Sequence, residues 1–224
     1  MAKEVRFQMG KDKIRKRLIK YTREAFRLIP RMEKPRILDI GCGSGVPTLE
    51  LARLSRGEVI GIDMDQPALD KFAAKIAESG LSDRVKALSC SLINMDFPEE
   101  TFDIIWSEGS IYAIGFEKGL RQWKRFLKPG GFMVIHDEQG NISEKLEQIP
   151  KCGYELLGSF LLSKETWWIE YFVPLEKLIT KAQTKYFNNL EVLEEIQQAQ
   201  EELDNFKKNP ELNSSVCFVM KRKY

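Results

Sequence analysis

The sequence predicts an α/β fold built around a parallel sheet. Three observations lead to this prediction: short apolar runs alternate with segments of helical periodicity, glycines follow the first run, and the composition is that of a globular chain. The 224 residues are 43% hydrophobic and 30% charged, which suits one core of ordinary size and excludes collagen-like, disordered and disulfide-scaffold classes. Alternating strands and helices form parallel sheets because parallel neighbours need crossover connections.

The elements follow from local patterns in chain order. Apolar residues recur at helical spacing over residues 14–28, and Pro30 ends this predicted amphipathic helix. A KPGG turn is predicted ahead of the fifth strand. The predicted strands are 37–40, 58–63, 85–89, 102–106 and 132–136, and the helices predicted between them are 47–54, 67–79 and 117–127.

The alternation changes after Pro150. Residues 154–162 predict a strand, 163–206 a largely helical stretch, and 216–221 a last strand. One face of the helical stretch is partly apolar, so we expect it to pack against another part of the chain. We interpret the chain as one domain with four parts: a basic helical arm (1–35), a core (36–162), a helical insertion (163–213) and the last strand (214–224).

Charge and cysteine content exclude several classes of protein. The net charge of +2 does not require a polyanionic partner. Four cysteines without a CxxC pair predict reduced structural thiols and no metal site. No run approaches the roughly 20 apolar residues of a membrane span, and the N-terminus lacks the apolar run of a signal peptide. We therefore expect a cytoplasmic protein; nothing in the sequence predicts its oligomeric state.

A glycine-rich turn follows the first predicted strand. Gly41, Gly43 and Gly45 allow positive φ and let a ligand lie against bare backbone. Asp63 ends the second strand, where a carboxylate can accept hydrogen bonds from both hydroxyls of a ribose. Together these features predict a ligand that contains adenosine.

The spacing of the glycines narrows the choice of ligand. A dinucleotide fingerprint needs Gly or Ala at its sixth position, where this chain has Val46 followed by Pro47. ATP is disfavoured because no GxxxxGKS or GxxxxGKT loop is present. S-adenosylmethionine remains among the common adenosyl cofactors.

Four segments resemble, in order, the motifs of class I S-adenosylmethionine-dependent methyltransferases: RILDIGCGSG (36–45), VIGIDMD (59–65), FDIIWSEG (102–109) and LKPGGFMVI (127–135). The resemblance is greatest to the small-molecule branch that includes ubiquinone and menaquinone biosynthesis methyltransferases. It implies a Rossmann-like sheet of seven strands in the order 3-2-1-4-5-7-6, with the last strand antiparallel. It also implies methyl transfer from S-adenosylmethionine to a small molecule, with S-adenosylhomocysteine as the product.

The resemblance implies roles for residues around the methionine end of the cofactor. The backbone of Gly41 and Gly43, in the turn completed by Gly45, would meet the methionine part. Asp39 would orient its amino group, and Asp63 would hold the ribose.

The residues expected at the adenine end match the family pattern less completely. By resemblance, Met64 would lie on the adenine face, whereas the Ser107 carbonyl would accept from the amino group of the methionine part. Much of the family has an acidic residue for the adenine amino group, whereas this chain has Ser91 followed by Leu92.

Candidate catalytic residues follow strands four and five, because open α/β sheets bind ligands outside the carboxyl ends of their strands. They are Glu108, His136 and Asp137, each of which either accepts a proton or only lines the pocket. His136 is the single histidine, and its ordinary pKa near ~6.5 suits proton removal at neutral pH.

Four aromatic residues form a candidate substrate pocket: Tyr112, Trp167, Trp168 and Tyr171. They would provide a flat apolar wall for a ring-shaped or isoprenoid substrate, or would instead pack the insertion onto the sheet.

A basic stripe on the first helix leaves other functions open. Lys16, Lys20, Arg23 and Arg27 recur at helical spacing. The stripe is a solvated face, or it contacts the phosphates of an RNA substrate such as tRNA, or it contacts an anionic membrane surface. An RNA methyltransferase is therefore the second hypothesis, and a non-catalytic module that binds the cofactor is the third.

Overall fold

A computed structural model describes residues 2–186 and 190–224. Within these ranges seven strands form one sheet in the order β3-β2-β1-β4-β5-β7-β6. β7 runs antiparallel to β5 and β6, and the other neighbours are parallel. The implied strand order is thereby confirmed. The strands are β1 (Arg36–Ile40), β2 (Glu58–Asp63), β3 (Val85–Ser89), β4 (Phe102–Glu108), β5 (Leu127–Glu138), β6 (Tyr154–Leu162) and β7 (Ser215–Arg222).

Helices cover both faces of the sheet and the carboxyl ends of its strands. A π-helical turn, Trp168–Phe172, joins α6 directly to α7. The helices are α1 (Ala2–Arg27), α2 (Val46–Ser55), α3 (Gln66–Glu78), α4 (Phe116–Trp123), α5 (Ile142–Lys151), α6 (Lys164–Trp167), α7 (Val173–Lys185) and α8 (Leu190–Lys208).

Alternate residues of the central strands serve two different cores. In β1, Leu38 and Ile40 pack with α4 and α5, while Ile37 packs with α2 and α3 on the opposite face. This alternation is the period-2 pattern of a strand buried on both faces. The carboxyl ends of β1, β4 and β5 therefore lie at a fixed edge between two packed layers.

A third core joins the insertion to the N-terminal helix. Phe7 and Ile14 of α1 pack with Leu175, Ile196 and Phe206 of α7 and α8. The partly apolar face of the insertion thus packs mainly within itself and on α1. The part of the predicted helical stretch at 187–189 lies outside the described residues.

Local signals explain where several helices begin. The Asp65 carboxylate accepts a hydrogen bond from the Ala68 amide (3.1 Å) and caps α3. The Asn141 side chain accepts one from the Glu144 amide (3.2 Å) and caps α5.

Three expectations about elements were wrong in detail. α1 begins at Ala2, far ahead of residue 14, because a largely polar first part can still bury single apolar residues such as Phe7. The KPGG segment belongs to β5, where the pairing jumps from Leu127 to Phe132 against two residues of β4. Helix α4 ends at Trp123 and a 3₁₀ turn follows it.

Helix α5 (Ile142–Lys151) was not expected from the sequence. Its last turn contains Pro150, which looked like a boundary between segments. Separately, no helix among the described residues is long and apolar enough to cross a membrane. All four cysteines are free thiols, as expected.

Candidate active site

A cleft of about 660 Å³ opens at the carboxyl ends of β1, β4 and β5. Its floor comes from these strand ends, and α1, α6 and α8 form its walls. Predicted site residues that line it include Asp39, Gly41, Gly43, Glu108, Tyr112, His136, Asp137, Trp167 and Tyr171.

The three glycines of the turn have different surroundings. All have positive φ, between 50° and 76°. A Cβ at Gly41 would collide with the Ser110 side chain, and one at Gly45 would collide with the Phe72 ring. A Cβ at Gly43 would meet only the Arg15 guanidinium, at 3.9 Å. Gly43 therefore presents bare backbone to open space, whereas Gly45 lies outside the cleft and its missing side chain serves packing.

Asp63 lies directly against this turn. Its Oδ2 accepts a hydrogen bond from the Gly43 amide (2.8 Å), and its Oδ1 accepts one from the Asp65 amide (3.0 Å). The fold thus brings the carboxylate of β2 to the bare backbone that follows β1, as the sequence predicted for these two features.

Asp39 is a buried carboxyl group, 2% exposed. The pKa of this carboxyl group is raised to about 7, mainly by burial. The Thr48 hydroxyl donates a hydrogen bond to Oδ2 at 2.6 Å and opposes this rise, whereas the charges of Glu108 and Asp63 add to it. A carboxyl group in this environment becomes ionised more readily when a cation enters the cleft beside it.

The Glu108 carboxylate is held by one of its oxygens. Oε1 accepts hydrogen bonds from the Thr22 hydroxyl (2.9 Å) and from the Trp106 indole (2.8 Å). Both donors meet Oε1, and Oε2 takes no hydrogen bond from the described residues.

His136 belongs to a short chain of hydrogen bonds. Its Nε2 lies 2.7 Å from Ser215 Oγ, and the Trp167 indole donates to the same Oγ at 2.8 Å. The imidazole also stacks on Trp167, with ring centroids 6.0 Å apart. Burial lowers the pKa of His136, and the nearby charges of Glu108 and Asp137 partly oppose this.

Asp137 is already engaged. Its Oδ2 forms an ion pair with Lys145 Nζ at 2.6 Å, and both side chains are largely buried. The ion pair joins the carboxyl end of β5 to helix α5, while Asp137 also lines the cleft.

The four aromatic residues separate into two groups. Tyr112, Trp167 and Tyr171 line the cleft. The structure places Trp168 elsewhere: its ring stacks on Phe206, at 5.8 Å between centroids, within the core formed by α1, α7 and α8. Adjacent helical positions point in different directions, so only one of the two tryptophans reaches the cleft.

Four other predicted cofactor-binding residues do not line the cleft. Met64 is 70% exposed and Ser107 is buried, with its Oγ 2.6 Å from Ser110 Oγ. Ser91 and Leu92 are half-buried, and the Leu92 carbonyl accepts a hydrogen bond from the Trp123 indole (3.1 Å). No described contact brings these four side chains together.

Sequence reasoning missed the part played by α1. Residues Arg15, Leu18, Ile19 and Thr22 of this helix line the cleft. Asp12 accepts a hydrogen bond from the Ser44 hydroxyl (2.8 Å) and pairs with Lys75, which anchors α1 to the glycine turn. One feature of the sequence could have indicated this role of α1: the polar residues Asp12 and Thr22 lie beside its apolar stripe.

Part of the basic stripe is neutralised within the chain. Lys20 pairs with Glu170 and Arg23 with Glu50, each at 2.6 Å. Lys16 and Arg27 are exposed. Among residues 2–186 and 190–224, no three His, Cys, Asp or Glu side chains are grouped to hold a metal ion.

The segment from β1 to the start of β5, which includes the glycine turn, matches a known family. Residues 37–131 match the family model described as a methyltransferase domain. A sterol 24-C-methyltransferase of Eremothecium gossypii is 34% identical over 102 residues, which cover 45% of this chain and 27% of that relative. The aligned part thus spans about a quarter of the relative's length.

Solved structures resemble most of the chain. A methyltransferase from Geobacter sulfurreducens, crystallised with S-adenosylhomocysteine, has a TM-score of 0.71 at 19% identity and covers 92% of this chain and 90% of its own. The cyclase SpnF has a TM-score of 0.72 at 21% identity and covers 90% of this chain and 80% of its own. At these identities the likeness concerns the fold alone.

The strand order is the one that the resemblance to class I S-adenosylmethionine-dependent methyltransferases implied, and residues 37–131 match a methyltransferase domain. S-adenosylmethionine is the cofactor of this class.

Proposed function

We propose that the protein transfers a methyl group from S-adenosylmethionine to a small molecule bound in the cleft. The observation that carries this proposal is the convergence of the Asp63 carboxylate on the Gly43 amide, next to the buried carboxyl group of Asp39. The family match over 37–131 supports the same reading.

The residues present fit the cofactor. The space where a Gly43 side chain would stand is open, so the turn can lie against a ligand. The raised pKa of Asp39 marks a buried acid that has no cationic partner among the described residues, and an ammonium group would provide one. We assign the methionine part to Asp39 and the backbone of Gly41 and Gly43, and the ribose hydroxyls to Asp63.

The adenine assignments remain proposals. We place Met64, Ser91 and Leu92 near the adenine, and the Ser107 carbonyl near the amino group of the methionine part. When bound, the cofactor supplies an activated methyl group on a cationic sulfur, so no residue needs to activate the leaving group.

The contribution of the chain is to position the reactants and to exclude water. The contacts of α1 with the glycine turn and with Glu108 cover the cofactor end. Well-oriented reactants gain on the order of 7 to 11 kcal/mol from prepaid entropy and solvent reorganisation, which accounts for much of the expected rate.

The acceptor is proposed to be a small molecule with a flat apolar part. Tyr112, Trp167 and Tyr171 offer aromatic surface in a cleft of about 660 Å³, which suits a molecule of metabolite size. An RNA substrate is not supported, because Lys20 and Arg23 of the basic stripe are paired within the chain. The cytoplasmic location and any contact with a membrane surface stay predictions.

Incubation with methyl-labelled S-adenosylmethionine and a fractionated cell extract tests this function. We expect the label in a small molecule, with none in RNA. Label in RNA would contradict the proposed acceptor class. Cofactor binding without transfer to any fraction would favour the non-catalytic module. The fold does not by itself establish methyl transfer, because the cyclase SpnF shares it.

A further inference from the structure

Glu108 and His136 lie side by side at the carboxyl ends of the two central strands. They are register partners in the parallel pairing of β4 and β5, and both line the cleft. Partners in a parallel pair project to the same side of the sheet, so the two side chains address the same part of the cleft.

Each side chain has one polar atom occupied and one left over. The Thr22 hydroxyl and the Trp106 indole occupy Oε1 of Glu108, so Oε2 is its remaining acceptor. Ser215 occupies Nε2 of His136, so Nδ1 is its remaining ring nitrogen. Neither Oε2 nor Nδ1 has a partner among the described residues.

The direction of the hydrogen bonds sets the tautomer of His136. An indole N–H can only donate, so Ser215 Oγ must accept from Trp167. Ser215 is 7% exposed, and among the described residues its hydroxyl group has one other partner, the His136 nitrogen. A buried hydroxyl hydrogen needs an acceptor, so it points to Nε2. The proton of the neutral imidazole is then on Nδ1.

This arrangement places an acceptor, Oε2, beside a donor, Nδ1–H. We propose that the pair binds a hydroxyl group of the methyl acceptor and that the protein is an O-methyltransferase; the inference rests on the proposed function. Glu108 and His136 are its catalytic residues, and Ser215 and Trp167 are positioning residues that fix the imidazole.

The lone pairs of the acceptor atom explain why oxygen is selected. A hydroxyl group donates its hydrogen to Oε2, accepts from Nδ1–H and keeps a second lone pair for attack. An amine nitrogen would give its single lone pair to Nδ1–H, and an alkene carbon offers neither a donor nor a lone pair. The pair therefore discriminates against the carbon methylation that the name of the sterol relative indicates.

In the transfer step the O–H bond breaks and its proton passes to Oε2 of Glu108. An oxygen lone pair forms the new O–CH₃ bond as the S–CH₃ bond breaks, and sulfur keeps that electron pair. His136 stays neutral and retains its Nδ1 proton throughout.

Nitrogen NMR of the imidazole tests the donor half of the proposal. His136 is the single histidine of the chain, so ¹⁵N labelling gives one pair of ring signals. We expect a protonated Nδ1 and an unprotonated Nε2 in the wild type at pH 7.5. A protonated Nε2, or a charged ring, would overturn the proposal.

Variants identify the cause of the tautomer. Ser215→Ala and Trp167→Phe are expected to return the ring to a mixture in which Nε2–H is substantial. Trp168→Phe is the matched control, because Trp168 lies outside the cleft, and it should leave the signals unchanged. An unaltered tautomer in Ser215→Ala would refute the role of the hydrogen-bond chain.

The transferred methyl group tests the acceptor half. With ¹³C-methyl S-adenosylmethionine and cell extract, the carbon chemical shift of the product distinguishes oxygen, nitrogen and carbon linkage. We expect an O-methyl product and a loss of at least 100-fold in its rate for Glu108→Gln. An N- or C-methyl product would sink this inference and leave the proposed function intact. Absence of both cofactor binding and transfer would contradict the proposed function itself, while the NMR result would still decide the tautomer.

Discussion

The clearest residue-level signal in this site is the buried acid Asp39. In the folded chain its pKa rises to about 7, mainly because of burial. The unfolded chain holds this carboxyl at an ordinary pKa. Between pH 4 and 7 the folded state therefore binds the proton more tightly, and stability from this group is lost as the pH rises through that window. Above pH 7 Asp39 is ionised in the folded state, and the unfavourable free energy of burying its charge is fully present.

Replacing Asp39 by Asn should separate stability from binding. Asn cannot ionise and still accepts from Thr48, so we expect the unliganded variant to be more stable than the wild type at pH 8, on the order of 2 kcal/mol, and nearly equal at pH 4. Its affinity for S-adenosylhomocysteine should fall by about 10- to 100-fold. Thermal melting and calorimetric titration measure the two effects; equal affinity would remove Asp39 from the ammonium role.

The same acid predicts a pH dependence of binding in the wild type. A cation in the cleft needs the ionised carboxylate, so the affinity for S-adenosylhomocysteine should decrease as the pH falls below about 7. Titrations from pH 5.5 to 8.5 test this, with Asp39→Asn as the control that should lose most of the trend. A flat profile in the wild type would speak against the pairing.

Gly43 offers a second residue-level test with a matched control. Gly43 and Gly80 have similar positive φ, 50° and 64°, and neither would clash on gaining a Cβ. Substitution by Ala should therefore cost each about 1 to 2 kcal/mol of stability. Gly43→Ala alone should weaken cofactor binding, by at least tenfold, since its Cβ would enter ligand space. Similar affinities in both variants would place the cofactor elsewhere.

Residue-level prediction from sequence succeeded where the chemistry is local. Asp63 and Gly43 could be paired from their positions after neighbouring strands, and the structure joins them at 2.8 Å. The tautomer of His136 was not predictable, because Ser215 is 79 residues away in sequence. Trp168 was misplaced because spacing on a helix does not show what each face meets.

At the scale of elements, α1 serves as a cover over the cofactor end. Asp12 connects it to Ser44 and Lys75, and Thr22 connects it to Glu108. These bonds lie on the side of the helix opposite the solvent, so the cover and the glycine turn should be ordered together.

Asp12→Ala should loosen this cover. It removes two contacts and leaves Lys75 without its carboxylate, at a cost of about 1 to 3 kcal/mol. We expect faster amide exchange in α1 and a 3- to 10-fold loss of cofactor affinity. Glu24→Ala on the same helix is the control, because Glu24 is exposed and has no ion pair among the described residues. Equal behaviour of the two variants would show that α1 does not act as a cover.

The strands were the most predictable elements. β2 and β3 have the predicted bounds, 58–63 and 85–89. β2 is a buried apolar run, as parallel strands covered on both faces usually are, whereas β3 is the edge strand of the sheet and is largely exposed. Helix α5 was missed because Pro150 looked like a boundary, although a proline in the last turn of a helix removes only one backbone donor. The division of the chain into four parts of one domain stays a prediction.

At the scale of the whole molecule, charge distribution bears on the choice of substrate. The basic stripe of α1 is partly paired, with Lys20 on Glu170 and Arg23 on Glu50. Basic side chains that are paired with carboxylates of the same chain neutralise few RNA phosphates, so they release few counterions on binding.

We therefore expect no saturable tRNA binding at micromolar protein, measured by anisotropy at about 50 and 200 mM salt. Glu170→Gln should raise any residual binding, since it frees Lys20 and Arg17. Tight binding by the wild type that weakens steeply with salt would restore the RNA hypothesis.

Calorimetric titration of the whole protein with S-adenosylmethionine measures whether the glycine turn and Asp63 hold the cofactor. We expect saturable binding at one site per chain, weakened at least tenfold by Asp63→Ala in a variant that still melts cooperatively. Absence of binding heat in the wild type, or equal affinity in the two proteins, would contradict it.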